Sequence, residues 1–270
     1  MCIKPLLTAL ILFSALVNAQ IECHGLLLDS ATKQPIEFAN VGIPNKGIGT
    51  VSDEKGGFTL KVADSLAGSK VRISIIGYNS KVFTAKNLQG KKTILLSQNS
   101  VALKEVKVSA KKLKKKILGN HTTTRAVSLG FMSAELGSEL AVRINVKHPK
   151  TQLRKFMVHM NDTLPEIPVF RFNVYKIGAN GIPGENILTQ NILVQAKDKT
   201  GLVEADLMPY NIFVDDDVFI AIEWIKDLTH GKTVLFSGKL VGTSTYYKMA
   251  SQDKWEKTVL GVGLHVEVGY

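Results

Sequence analysis

Apolar residues recur at every second position in short runs, and the runs are separated by glycine, asparagine and proline rather than by helical stretches. In positions 41–60, Val41 and Ile43 alternate into a turn at Pro44 to Gly47. A second run leads through Thr50 and Val51 to a polar turn at Ser52 to Gly57, and Phe58 and Leu60 alternate onto one face of a third. Gly47, Gly49, Gly56 and Gly57 are read as supplying backbone angles that other residues adopt only with strain. Further strands are expected at Gly25 to Leu28, Ile36 to Ile43, Val71 to Ile76, Thr93 to Leu96 and Leu103 to Val108. With no long helical pattern between strands, the first part of the chain is predicted to be an all-β sandwich.

The second half repeats the theme. Leu140, Val142, Ile144 and Val146 alternate with Ala141, Arg143, Asn145 and Lys147, which predicts a half-buried strand with a polar outer face. Phe156 to Met160, Val169 to Ile177, Ile187 to Val194, Val218 to Ile225 and Val259 to Val268 are further strand candidates. From Phe219 to Ile225 both faces are apolar apart from Glu223, which places that strand mid-sheet, covered on both sides. A second β-sandwich of jelly-roll type is expected over 128–270. Between the two halves, Lys111, Lys112, Lys114, Lys115 and Lys116 lead into Gly119, Asn120 and three threonines, so 111–127 reads as a Lys-rich linker. As a basic patch, those lysines offer weak, salt-sensitive attraction to anionic lipid or polymer.

The amino end changes the cellular picture. Residues 1–19 carry Lys4, an apolar run from Pro5 to Val17, and then Asn18 and Ala19, the pattern of a cleaved secretory signal. Cleavage removes Cys2 and leaves Cys23 as the single thiol, so no internal disulfide is expected and Cys23 is read as buried and inert. About 250 residues remain, enough for one large or two modest domains. The formal charge of +11 loses only Lys4 with the leader, so the mature chain stays basic and favours anionic partners. Export argues against nucleic acid, and no later stretch is apolar enough to span a membrane.

The series Gly25, Asp29, Thr32, Pro35, Ile36, Ala39 and Val41, then Gly49, Thr50, Ser52, Asp53, Gly57 and Phe58, then Ile76, Gly77 and Tyr78, and finally Leu103, Glu105, Val106 and Val108, resembles the carboxypeptidase regulatory-like domain. It looks like the version found in exported Bacteroidetes proteins, often ahead of the plug of TonB-dependent receptors, although Ser52 stands where threonine is usual. The resemblance implies a transthyretin-like, seven-stranded sandwich over 20–110 with no catalysis of its own. The remaining residues are too few for a receptor barrel.

Candidate chemistry is sparse. Asp53 is read as bonding the backbone of its own turn, and Gly77 and Tyr78 as a strand-end turn with a rim-packing aromatic. His148, His159, His230 and His265 fall on different elements, without metal-ligand spacing and without a Gly-x-Ser-x-Gly turn nearby. Asp215, Asp216 and Asp217 read as a turn, because adjacent residues of an extended chain point to opposite sides. Glu135 and Glu139 converge only on a helix. Arg171, Asn173 and Tyr175 project from one face of their strand, and with Trp255 they form a candidate ligand-binding surface. No metal or cofactor is expected.

These features favour a non-enzymatic exported binding or scaffold protein of the bacterial cell envelope, in the periplasm or at the outer-membrane surface. Its expected partner is an envelope protein or an anionic or glycan polymer. The alternatives are a carbohydrate-binding accessory protein of a glycan-uptake system and a cryptic hydrolase.

Overall fold

The alternating runs become β1 (Gln20–Asp29), β2 (Asn40–Ile43), β3 (Ile48–Val51), β4 (Gly57–Ala63), β5 (Lys70–Ser74) and β7 (Gly90–Leu96), joined by an unanticipated β6 (Lys81–Thr84), in the computed structural model, which describes residues 20–99, 113–131, 136–226 and 233–270. They form two sheets, ordered β4-β1-β7 and β3-β2-β5-β6. In the first, β1 runs antiparallel to β4 and parallel to β7. Period-two burial does the packing: Cys23 and Leu27 of β1, Leu60 of β4, and Val41 and Ile73 of the facing sheet all turn into one core. Cys23 is free and buried there, and burial pushes its thiol up from the ordinary value. The leader and the strand expected at Leu103 to Val108 lie outside the described residues.

The glycine reading needs a correction. Gly47 and Gly56 hold left-handed angles, φ 63° and 77°, as turns require. Gly49 does not. It is needed because a Cβ there would overlap the Ser251 carbonyl oxygen of the second domain, and the same is true of Gly42 beside it.

The second domain contains β8 (Lys115–Gly119), β9 (Ser128–Phe131), β10 (Glu139–Ile144), β11 (Thr151–Met160), β12 (Val169–Ile177), β13 (Pro183–Asn186), β14 (Ile192–Gln195) and β15 (Gly201–Asp206). It continues with β16 (Phe213–Val214), β17 (Val218–Trp224), β18 (Val234–Lys239), β19 (Thr245–Lys248), β20 (Glu256–Thr258), β21 (Gly261–Val262) and β22 (His265–Gly269). One sheet is ordered β13-β12-β17-β10-β19-β20, with β14 also on β12; the other is β21-β18-β11-β22-β8, with β15, β16 and β9 attached. Phe156, Phe170, Phe172, Trp224 and Phe236 fill the space between them. The whole described chain is thus all-β. As expected, β17 lies mid-sheet between β12 and β10, and each of its residues is buried.

Four sequence expectations change. Lys115 to Gly119, expected in the linker, pair antiparallel with β22, so this part of the lysine run is a sheet strand of the second domain. It is an edge strand, where lysines are common because they discourage further pairing, and their charge hides the alternation. Ile187 to Val194 contributes a strand only from Ile192, and Val259 to Val268 is broken into β21 and β22. The outer face of β10 is not simply polar and solvated: Glu139 and Ala141 are buried, and only Arg143 is exposed.

The two sandwiches dock through the β2–β3 hairpin and the turn after β19. Gly47 N–H donates to Asp253 Oδ1 at 3.0 Å, Asn45 N–H to the Gln252 carbonyl at 3.1 Å, and Gln252 Nε2 to Ser74 Oγ at 2.8 Å. Phe38 and Val51 bury an apolar contact with Ile225.

Candidate functional site

The docked domains enclose a cleft of about 590 Å³. Its floor is the outer face of the second domain's central strands, and its rim includes Arg72, Ser74, Asn79 and Asn99 from the first domain with Asn186 and Thr189 from the second.

Sheet register builds the floor. Lys248 of β19 lies opposite Glu139 of β10, Glu139 opposite Glu223 of β17, and Glu223 opposite Arg171 of β12. Four charged residues from four strands therefore form one row, two acids between two bases. Lys248 Nζ donates to Glu139 Oε1 at 3.1 Å. Arg171 Nη2 donates to Glu223 Oε1 at 3.3 Å; its Nε lies 3.0 Å from Oε2 with the N–H off line, which gives charge attraction rather than a hydrogen bond. Asn173 Nδ2 donates to Glu223 Oε2 at 2.8 Å, and the Tyr175 hydroxyl donates to Glu139 Oε2 at 2.7 Å. Asn186 Nδ2 then donates to Asn173 Oδ1 at 3.0 Å, extending the network to the rim.

Burial sets the electrostatics. Removal from water pushes the Glu223 carboxyl up; Arg171 pulls it down, and the neighbouring Glu139 carboxylate adds to the rise. Burial also raises the Tyr175 hydroxyl well above its ordinary value, reinforced by Glu139 and then Glu223, so Tyr175 stays a neutral donor. The row sums to no net charge, and both carboxylates are committed to internal partners. Such a floor presents fixed dipoles to an uncharged polar ligand better than it presents a reactive group.

Arg171, Asn173 and Tyr175 do share one face, and all three line the cleft, but each is buried, at 1%, 2% and 7% exposure. Trp255 is not among the cleft-lining residues; its ring packs edge-on to Tyr175 at 5.5 Å, with Lys248 Nζ 4.3 Å from its centroid. Of the basic patch, Lys111 and Lys112 lie outside the described residues. Lys114 exchanges backbone bonds with Tyr270, Lys115 pairs with Glu267 at 3.1 Å, and Lys116 lies opposite Val268. Lys115 and Lys116 therefore lie on a strand of the sheet that does not form the cleft floor.

Residues that the sequence did not single out for this site are Glu139, Glu223, Lys248 and Asn186; Glu139 enters the sequence reading only with Glu135, which lies outside the described residues. Glu223 carried a signal as the lone charge in an apolar strand, but Lys248 and Asn186 had none, because their roles come from strand register alone. Elsewhere, Asp53 Oδ1 accepts from the Lys55 and Gly57 amides of its own turn. Asp217 pairs with Arg143 at 2.7 Å and accepts from the Val146 amide, while Asp215 accepts from Lys150, so the acidic triplet holds a loop. Among the described residues, no group of three or more His, Cys, Asp or Glu side chains converges on a point.

Residues 23–108 match the family model of the CarboxypepD_reg-like domain. Comparison with curated proteins finds no match. A solved structure of the infectious bursal disease virus Gx strain aligns over 93% of this chain and 77% of its own, at 8% identity and a TM-score of 0.22.

Proposed function

We propose that this chain is a non-enzymatic, exported binding or scaffold protein of the bacterial cell envelope, with the interdomain cleft as its binding site. The observation that carries the reading is the neutral row Lys248–Glu139–Glu223–Arg171, whose acids are held by internal partners beneath an amide- and hydroxyl-bearing rim. The CarboxypepD_reg-like module supports it, being a β-sandwich compatible with binding or scaffolding. Export rests on the leader pattern of residues 1–19.

The test is capture from a native envelope fraction at low and raised salt. Capture that persists at raised salt and is lost on Thr189→Trp, which obstructs the rim, is the expected result. Capture that ignores Thr189→Trp but disappears when Lys111 to Lys116 are neutralised assigns the attraction to the basic run and overturns the cleft reading.

A second reading, a carbohydrate-binding accessory protein of a glycan-uptake system, is favoured by the balanced charges of the floor and by the Trp255 ring packed on Tyr175. Saturable binding of a defined glycan, lost on Trp255→Ala, supports it.

A further inference from the structure

The three most exposed large apolar side chains among the described residues are Val241 (86%), Val259 (76%) and Leu240 (69%), and they lie together at one end of the second domain. Scattered exposed aliphatics are ordinary; a cluster is not. Strand pairing enforces the cluster. Lys239 lies opposite Gly261 and Thr245 opposite Thr258, so the 240–244 loop is clamped at both flanks to the chain that carries Val259. Thr245 N–H also donates to the Leu260 carbonyl at 3.0 Å.

Asn120 fixes the loop from beneath. Its side chain is buried, donates to the carbonyls of Thr243 at 2.7 Å and Val262 at 3.1 Å, and accepts from the Thr243 amide at 3.0 Å. The apolar tip is therefore presented in a set conformation, with little ordering left to do on contact.

The segments nearest the tip, 120–127, 239–245 and 257–262, contain no aspartate or glutamate, and the acid beside them, Glu256, is paired with Lys254 at 2.9 Å and accepts from the Tyr247 hydroxyl. Near the loops they carry Arg125, Lys239 and Lys257; Arg125 and Lys257 are exposed and Lys239 is half-buried.

We propose that this end of the second domain docks on an anionic lipid bilayer, Leu240, Val241 and Val259 entering the headgroup–acyl boundary while Arg125, Lys239 and Lys257 meet the headgroup phosphates. Aliphatic side chains need hydrocarbon to be buried, and the cations supply the selectivity for negative lipid. A stable protein partner requires a broad surface, commonly about 800 Å² per side and rich in aromatics, which a tip of three aliphatic side chains does not offer. This surface is separate from the cleft and does not depend on the cleft's ligand.

The test is vesicle flotation of the chain lacking residues 1–19, since the apolar leader would itself insert. Vesicles of phosphatidylcholine with phosphatidylglycerol are compared with phosphatidylcholine alone. The chain is expected to float with the anionic vesicles, more weakly at raised salt. Leu240→Ser with Val241→Ser and Val259→Ser is expected to weaken binding by at least about tenfold, and Arg125→Gln with Lys239→Gln and Lys257→Gln by a similar factor. Because all six side chains are at least partly exposed, an unchanged thermal melt serves as the folding control, and Thr189→Trp is expected to float normally. Failure of the parent chain to float, or flotation unaffected by the serine variant, overturns the proposal. Concentration-dependent self-association abolished by the serine variant, without flotation, assigns the tip to a second copy and overturns it too.

Discussion

Arg171 donates a 2.7 Å hydrogen bond to the carbonyl oxygen of Phe38, and Phe38 holds a left-handed backbone, φ 56°, where it is presented. An aromatic residue rarely adopts that conformation without surrounding structure to hold it. Here Phe38 is buried against Ile225, its amide donates to the Ser52 carbonyl at 3.0 Å, and its carbonyl meets the end of the buried charge row. The cleft floor and the domain junction are thus one network.

Replacing Arg171 by methionine leaves Glu223 and Glu139 buried with Lys248 as their remaining charged partner. Breaking a buried pair from one side costs about 3–5 kcal/mol, and urea denaturation is expected to show a loss of that size. Combining Arg171→Met with Glu223→Gln should recover part of it, because the second change removes the unpaired charge. Strict additivity of the two losses would show that the pair does not interact.

Gly49→Ala places a methyl group against the Ser251 carbonyl, in backbone that cannot easily retreat. Overpacking of this kind costs about 1–3 kcal/mol. The strain falls on the junction, so faster limited proteolysis between the domains is expected. Gly68→Ala, where a Cβ has open space, should behave as the parent does.

Asp29 is expected to contribute to the acid stability of the first sandwich. Its carboxylate accepts from the Thr32 amide at 2.9 Å, Gln98 Nε2 at 2.8 Å, the Ala31 amide at 2.7 Å and the Tyr78 hydroxyl at 2.9 Å. These bonds, that from Thr32 first, hold the carboxyl well below the usual range. A depressed acid contributes stability above its unfolded value, near pH 3.9, and the contribution is lost as pH falls toward the folded value. The urea midpoint should fall below about pH 4, and Asp29→Asn should flatten that dependence. An equal slope in the variant would assign acid sensitivity to other groups.

Asn120→Ala removes three bonds and leaves the Thr243 amide and the Thr243 and Val262 carbonyls without that partner. A loss of about 1–3 kcal/mol is expected. Hydrogen exchange at the Thr243 amide should accelerate, which separates local loosening of the loop from general destabilisation.

The sequence by itself determined the all-β class, the first sandwich and the self-contained turns, because period-two alternation and the turn chemistry of residues such as Asp53 act over a few neighbours. It also placed Arg171, Asn173 and Tyr175 on one face and β17 mid-sheet, since side-chain direction in a strand follows position alone. Only the tertiary structure decided what that face meets. The charge row joins residues from four strands through register, Gly49 owes its identity to a carbonyl about 200 positions away, and Lys115 to Gly119 became a strand because β22 was there to pair with them. Strand pairing is a non-local bond between segments whose sequences carry no mark of one another. The cleft, the domain junction and the clustered apolar tip exist only once those pairs have formed.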